Sequence, residues 1–338
     1  MTTIKEIAEI AGVSHSTVSR SLNNSSLISE KTKIKIKKIA TELNFEFNSS
    51  AQSLNTNKTG TIGIIYPEQT AEIRMSVYLT SLLNDIRGIL EKELIDSIVS
   101  FPKNRFTMKS NIKRLISKKK VDGLMIVHSD INSEDWDYIR ESRIPCIFLH
   151  YMPKLHMKAE VDFVSTDHFV GGILATSHLI QLGHKRIMCL TGNKTEEEVK
   201  QRISGYTSVF KQNCLPVDTK LIFEGDFSFE SGYNIVKQNI DIVKTVTAIF
   251  AQSDLMALGA IKALREIGVK IPQDIAIIGY DDLDIGSYFL PLLTTIRQPR
   301  EQIAKIGCER LLQLLNGKQI HSHQSKFVQP RLIIRETC

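Results

Sequence analysis

Apolar positions in the first 45 residues recur every three or four places, with polar residues filling the gaps. Ile4, Ile7, Ala8 and Ala11 form one stripe at helical spacing. Thr3 with Glu6 makes a T-x-x-E capping box, each side chain satisfying an orphan backbone N–H at the helix start. Gly12 stops that helix, because glycine takes a left-handed turn at little cost. Val13 plugs the corner, and Ser14 is the N-cap of a second helix that buries Val18 and Leu22. His15, Ser16, Thr17, Ser19 and Arg20 are then left facing outward. A third helix follows a Ser29 cap, with Ile36, Ile39, Ala40 and Leu43 inward. Its other face, Lys31, Lys33, Lys35, Lys37 and Lys38, reads as solvated.

From Gly60 the period changes to alternating strands and helices. Thr61 to Tyr66 is a continuous apolar and β-branched strand, and residues 75 to 90 form a helix burying Met75, Tyr78, Leu79, Leu82, Leu83 and Ile86. Further strands are expected at Ile95–Ser100, Gly123–His128, Cys146–Leu149, Phe163–Ser165, Ile187–Leu190, Ala248–Ala251 and Ile275–Gly279. Repeated β-α units with apolar strands imply parallel sheets covered on both faces, an α/β fold class behind an all-α N-terminus.

A short polar helix offering an arginine and small hydrogen-bonding side chains suits the DNA major groove, so the opening helices are predicted to be a helix-turn-helix. The longer run Ala11 to Asn23, A-G-V-S-x-x-T-V-S-R-x-L-N, resembles the DNA-binding headpiece of LacI/GalR-family bacterial transcription regulators, and the likeness continues almost to the C-terminus. DNA contacts are therefore expected from His15, Ser16, Thr17, Ser19, Arg20 and Asn23. Residues 46–58 are polar enough for a linker and also resemble the family's hinge, P-N-x-x-A-x-x-L, through Asn48, Ala51 and Leu54. So short a helix is unstable in free solution; in the family it forms on DNA, where the leucines wedge into the minor groove. Phe47 stands where proline is usual, which removes a residue pre-set for the helix start.

The resemblance further implies two sheets side by side, as in periplasmic sugar-binding proteins, with three crossings near 158, 287 and 320. The expected organisation is a headpiece at 1–45, a hinge at 46–58 and an effector-binding core at 59–338. Its N-subdomain would hold 59–158 and 288–320, and its C-subdomain 159–287 and 321–338. Ligand residues in such folds sit at the carboxyl ends of strands. Ile275 to Asp282 runs straight into two acids and matches the family's V-x-G-[YF]-D-D, which implies that Asp281 accepts from a bound hydroxyl or amine. Arg202 matches the arginine of R-x-x-G-[YF], and Phe227 holds a position where an aromatic face stacks on ligand. An acid, an arginine and an aromatic plane suit a polyol ring; a structural salt bridge between Asp281 and Arg202 is the alternative. Ser253 stands where the family often has asparagine, and His150 where an acid is common. That histidine either packs or touches ligand. Gln69 to Ile73 replace the family's usual N-P-F.

Composition narrows the function classes. The chain is 42% hydrophobic and 24% charged, as a folded soluble protein should be. Of its +6 net charge, half falls in residues 1–58, where eight Lys/Arg meet five Asp/Glu. That excess is too modest to settle nucleic-acid binding by itself. Five cysteines form no C-x-x-C pair and read as reduced thiols of a cytoplasmic protein. Neither a membrane-span run nor a secretion signal is evident, which counts against an exported solute receptor. G-x-S-x-G, the P-loop and H-E-x-x-H are missing, so an enzyme has little support, and His321-Ser322-His323 reads as a solvated loop with no third metal ligand. No cofactor is expected. The expectation is a repressor that binds a pseudo-palindromic operator under control of a sugar-like effector. Two-fold operators need two headpieces, and Leu332 to Cys338 reads as the last strand, without a following leucine heptad, so a homodimer is expected.

Overall fold

The computed structural model describes residues 2–22, 25–43, 45, 58–67, 77–127, 131–151, 161–317 and 323–338. It divides into two compact units, Met1–Thr59 and Gly60–Cys338. The first contains α1 (Ile4–Ala11), α2 (His15–Leu22) and α3 (Glu30–Glu42) around Ile7, Ala8, Ala11, Val18, Ile36 and Ala40. Both halves of the capping box are made: Glu6 N donates to Thr3 Oγ1, and Thr3 N donates to Glu6 Oε2. Gly12 is left-handed, at φ 68°. Two details differ from the periodic pattern. Lys33 is buried beside Glu30 at 2.7 Å rather than solvated, because its stem covers the edge of a core too small to close over itself. Leu22 is half-buried while Ser21 is fully buried, so α2 is rotated slightly from the predicted face.

The second unit is built on two sheets. Its first half runs β1 (Thr61–Ile65), α4 (Val77–Lys92), β2 (Asp96–Ser100), α5 (Asn111–Ser117), β3 (Gly123–Ile126), α6 (Ser133–Ser142), β4 (Cys146–Leu149) and β5 (Asp162–Thr166). The second half continues with α7 (His168–Gln181), β6 (Ile187–Thr191), α8 (Glu197–Gln212), β7 (Ile222–Glu224), α9 (Phe229–Gln238), the short α10 (Ile240–Val243), β8 (Ala248–Ala251), α11 (Asp254–Glu266), β9 (Ala276–Asp281) and β10 (Thr294–Arg297). α12 (Arg300–Leu315), β11 (Ser325–Val328) and β12 (Arg331–Ile333) complete it.

Among the described residues the sheets are ordered β11-β5-β4-β3-β1-β2 and β12-β10-β9-β8-β6-β7. The first is parallel throughout, and the second has one antiparallel edge strand, β12. The continuous apolar runs follow from burial on both faces: Ile62, Ile64, Ile147, Leu149, Ile249 and Ile277 are all at most 1% exposed.

The chain leaves the first sheet after Thr166, returns after Arg297 into α12, and crosses last between Val328 and Arg331. These points lie beyond the expected 158, 287 and 320, since β5 pairs with β4, β10 with β9, and β11 with β5. Apolar runs identify strands but not their neighbours, which is why β5 and β11 were expected in the other subdomain. β7, β10 and β11 are short and were not expected as strands at all. The terminal strand is only Arg331–Ile333, after which Thr337 returns to bond Ile277. The crossing segments are stitched together. Asp167 N donates to Val328 O at 2.9 Å, Gln329 Nε2 to Asp167 Oδ2 at 3.1 Å, and Thr166 Oγ1 to Gln298 Oε1 at 2.8 Å.

Candidate functional site

In the N-terminal unit, buried Val18 anchors α2 and fixes which side chains it can present. His15, Ser16 and Arg20 are exposed, and Thr17 and Ser19 half-buried. Ser14 caps the helix, its Oγ accepting from Thr17 N at 3.2 Å and lying 2.8 Å from Ser16 Oγ. Lys35 Nζ donates to the carbonyl of Ala11 at 2.9 Å, neutralising the negative end of α1 rather than reaching out. Asn23 and the hinge residues Asn48, Ala51 and Leu54 lie outside the described residues, as do Phe47 and Gln69 to Ile73.

In the core, both sheets reverse strand order, at β1/β3 and at β6/β8. Ligand crevices in open parallel sheets form outside the carboxyl ends of strands at such points. His150 follows β4, His168 follows β5, Phe227 lies just past β7, Gln252 and Ser253 follow β8, and Asp281 ends β9. Three of these have positive φ without being glycine: His150 at 69°, Phe227 at 65° and Asp281 at 122°. Backbone strain of that kind persists only where surrounding contacts over-determine it.

Arg202 is brought here by α8, whose Gly205 meets Gly172 of α7 backbone to backbone; a Cβ at either would overlap a carbonyl oxygen of the opposite helix. Its guanidinium is 4% exposed and heavily engaged. Nη1 donates to Gln252 O at 2.7 Å, and Nε to His168 Nδ1 at 3.2 Å. The guanidinium carbon lies 3.9 Å from the Tyr280 ring centroid and 5.6 Å from that of Phe227. Asp281 does not pair with it. Instead Gln298 Nε2 donates to Asp281 Oδ1 at 2.7 Å, while the same amide accepts from Thr166 at the crossing. Burial raises the Asp281 carboxyl to about 6, against the opposing pull of Arg202 and Gln298.

Ser253 is not free for ligand: its hydroxyl accepts from Met256 N and donates to Phe227 O, capping α11 and holding the Phe227 loop. His150 packs against Tyr78 and Tyr151, with centroids 4.7 and 4.6 Å away, and burial followed by Arg202 depresses its pKa to about 3. It is a neutral ring whose Nδ1 has no hydrogen-bond partner. His168 is held neutral by the same two causes, with His150 adding to them. Because His168 Nδ1 accepts from Arg202, its proton sits on Nε2, which is unpartnered. His168, Gln298, Glu198 and Tyr280 were not foreseen as site residues. The strand-end rule applied to Thr166-Asp167-His168, and helical spacing from Arg202 back to Glu198, were the available signals. His323 lies 3.4 Å from Asp162, which Arg310 already holds at 2.6 Å; among the described residues no cluster suits a metal.

A helix-turn-helix unit together with a two-sheet receptor core defines a DNA-binding transcriptional regulator. Residues 3–48 match the model of bacterial regulatory proteins of the lacI family, and residues 176–338 match a periplasmic binding protein-like domain. The HTH-type transcriptional repressor PurR of Vibrio atlanticus is 31% identical over 338 residues, covering 100% of this chain and 98% of the relative. The lac repressor dimer bound to operator and the anti-inducer ONPF superposes with a TM-score of 0.80 at 27% identity, covering 99% and 98% of the two chains. A transcriptional regulator CelR–cellobiose complex gives a TM-score of 0.74 at 25% identity over 100% of both chains. The chain belongs to the LacI family of bacterial transcriptional regulators.

Proposed function

We propose that this protein is a cytoplasmic homodimeric repressor whose α2 reads a pseudo-palindromic operator, with a hydroxylated small molecule in the core cleft setting its affinity. One observation supports the reading above others: Gln298 bonds both Asp281, a candidate ligand residue, and Thr166, on a strand crossing between subdomains. A ligand that engages Asp281 therefore acts on the segment about which the subdomains rotate. Coupling between two sites is a differential binding energy, typically about 1–3 kcal/mol, and it reports as a change of about 5–150-fold in operator affinity. In the cleft, Arg202 and Asp281 give directional bonds and Phe227 an apolar face. At the DNA, His15, Ser16 and Arg20 reach base edges, and Thr17 and Ser19 lie nearer the backbone. Asn23 and the hinge residues Asn48, Ala51 and Leu54 complete the proposed contacts.

The cellobiose complex of one relative favours a carbohydrate-like effector here. The test is an Asp281→Ala variant. A molecule that raises the melting temperature of the wild type and changes its operator affinity should do neither in the variant. Undiminished effector affinity by calorimetry in that variant would show the pocket to be elsewhere.

A further inference from the structure

We propose that the effector carries a protonated amine, and that Glu198 is the residue that receives it; the inference rests on the cleft being the effector site. Glu198 stands four residues before Arg202, so both lie on the same face of α8. It is 4% exposed, and its Oε1 meets no hydrogen-bond donor. The carboxyl keeps a hydrogen bond from its own backbone N–H in the first turn of α8, but a second buried oxygen without a donor is disfavoured and calls for a group that supplies one. Arg202 is not bonded to that oxygen: its Nη1 and Nε donate to Gln252 and His168, and its plane stacks on Tyr280.

The Tyr151 phenol, two residues beyond β4, is pushed up by burial and next by the charges of Glu198 and Glu196. Asp281, Glu196 and Glu198 are thus three acids within electrostatic reach of the one guanidinium of Arg202, while His150 and His168 are neutral there. Burial lifts Glu198 itself to about 7, the sign of an acid waiting for a cation. A ligand nitrogen with positive charge would restore the carboxylate and fill its vacant acceptor. A phosphorylated or carboxylated ligand would meet repulsion. His168 Nε2–H and the aromatic face of Phe227 are left for the hydroxyls and ring of the same molecule.

The experiment uses the full-length protein with glucosamine and galactosamine, their parent sugars and their N-acetyl derivatives, which carry no charge. At neutral pH at least one amine should bind about tenfold or more tighter than both of its neutral counterparts. Glu198→Gln should narrow that preference to less than about threefold. The unliganded variant should melt no lower than the wild type, because the amide removes the cost of ionising a buried carboxyl. Neutral members binding as tightly as the amines, a preference that survives Glu198→Gln, or no amine binding at all would each overturn the assignment. So would a clear fall in melting temperature of the unliganded variant, which would make Glu198 structural. A neutral sugar whose binding is lost in Asp281→Ala would overturn the amine while leaving the cleft in place.

Discussion

Replacing Gln298 by leucine isolates the link between the cleft and the crossings. The side chain is 3% exposed, and its amide makes two bonds, to Thr166 Oγ1 at 2.8 Å and to Asp281 Oδ1 at 2.7 Å. Leucine keeps most of the volume but leaves a buried hydroxyl and a desolvated carboxyl short of a partner. Each such loss costs about 1–3 kcal/mol, so roughly 2–6 kcal/mol in all. The cost also has a pH signature. Asp281 is raised by burial to about 6, and Gln298 is one of the groups pulling it back, so the variant raises it further. A carboxyl whose folded pKa exceeds its unfolded value holds a proton that the unfolded chain has lost, and stability falls as pH rises through that interval. In the wild type the fall starts near the ordinary aspartate value and is complete above about 6. In the variant it continues to higher pH. Urea denaturation at about pH 5 and about pH 8 should therefore give a larger loss at the higher pH, and the effector's influence on operator binding should shrink. An equal loss at both pH values would refute the reasoning.

Two other outcomes follow from the same structure. His150 is depressed to about 3 by burial and Arg202, so the folded state excludes a proton that the unfolded chain binds, and stability should rise with pH between about 3 and the ordinary imidazole value; His150→Gln should flatten that rise, and an unchanged profile would place the ring in solvent. A core lacking residues 1–58 should remain dimeric by light scattering, because so small a helical unit buries too little surface to hold two chains together; a monomer would mean that the pairing surface is misplaced.

The headpiece was legible because its signals are local. A capping box, a left-handed glycine and a serine cap each act within four residues, and all three form as the sequence predicts. Strands that carry three or four buried apolar residues are equally plain, as Cys146–Leu149 and Ala248–Ala251 show. Non-local pairing was not legible. β10 and β11 are four residues long and polar or exposed in part, so no periodicity marks them, and the crossings shift with their assignment. Within the cleft, Asp281, Arg202 and Phe227 stood out because strand ends and a family motif mark them. Gln298 and Glu198 did not, since their roles depend on partners 132 residues away in one case and on missing partners in the other. Ser253 stands where the family resemblance implies a ligand residue, yet its hydroxyl accepts from Met256 N in α11 and donates to the Phe227 carbonyl.

The central claim is that α2 reads DNA sequence. Its most direct test is fluorescence anisotropy of the full-length protein with a duplex selected by the protein from a random pool, and with a scrambled duplex of equal composition, at one fixed salt concentration. The selected sequence should be pseudo-palindromic and bind about a thousandfold or more tighter than the scrambled one. Arg20→Ala should lose about 1–3 kcal/mol per half-site and relax the preference at the base it contacts. Equal affinity of the wild type for both duplexes would contradict the account.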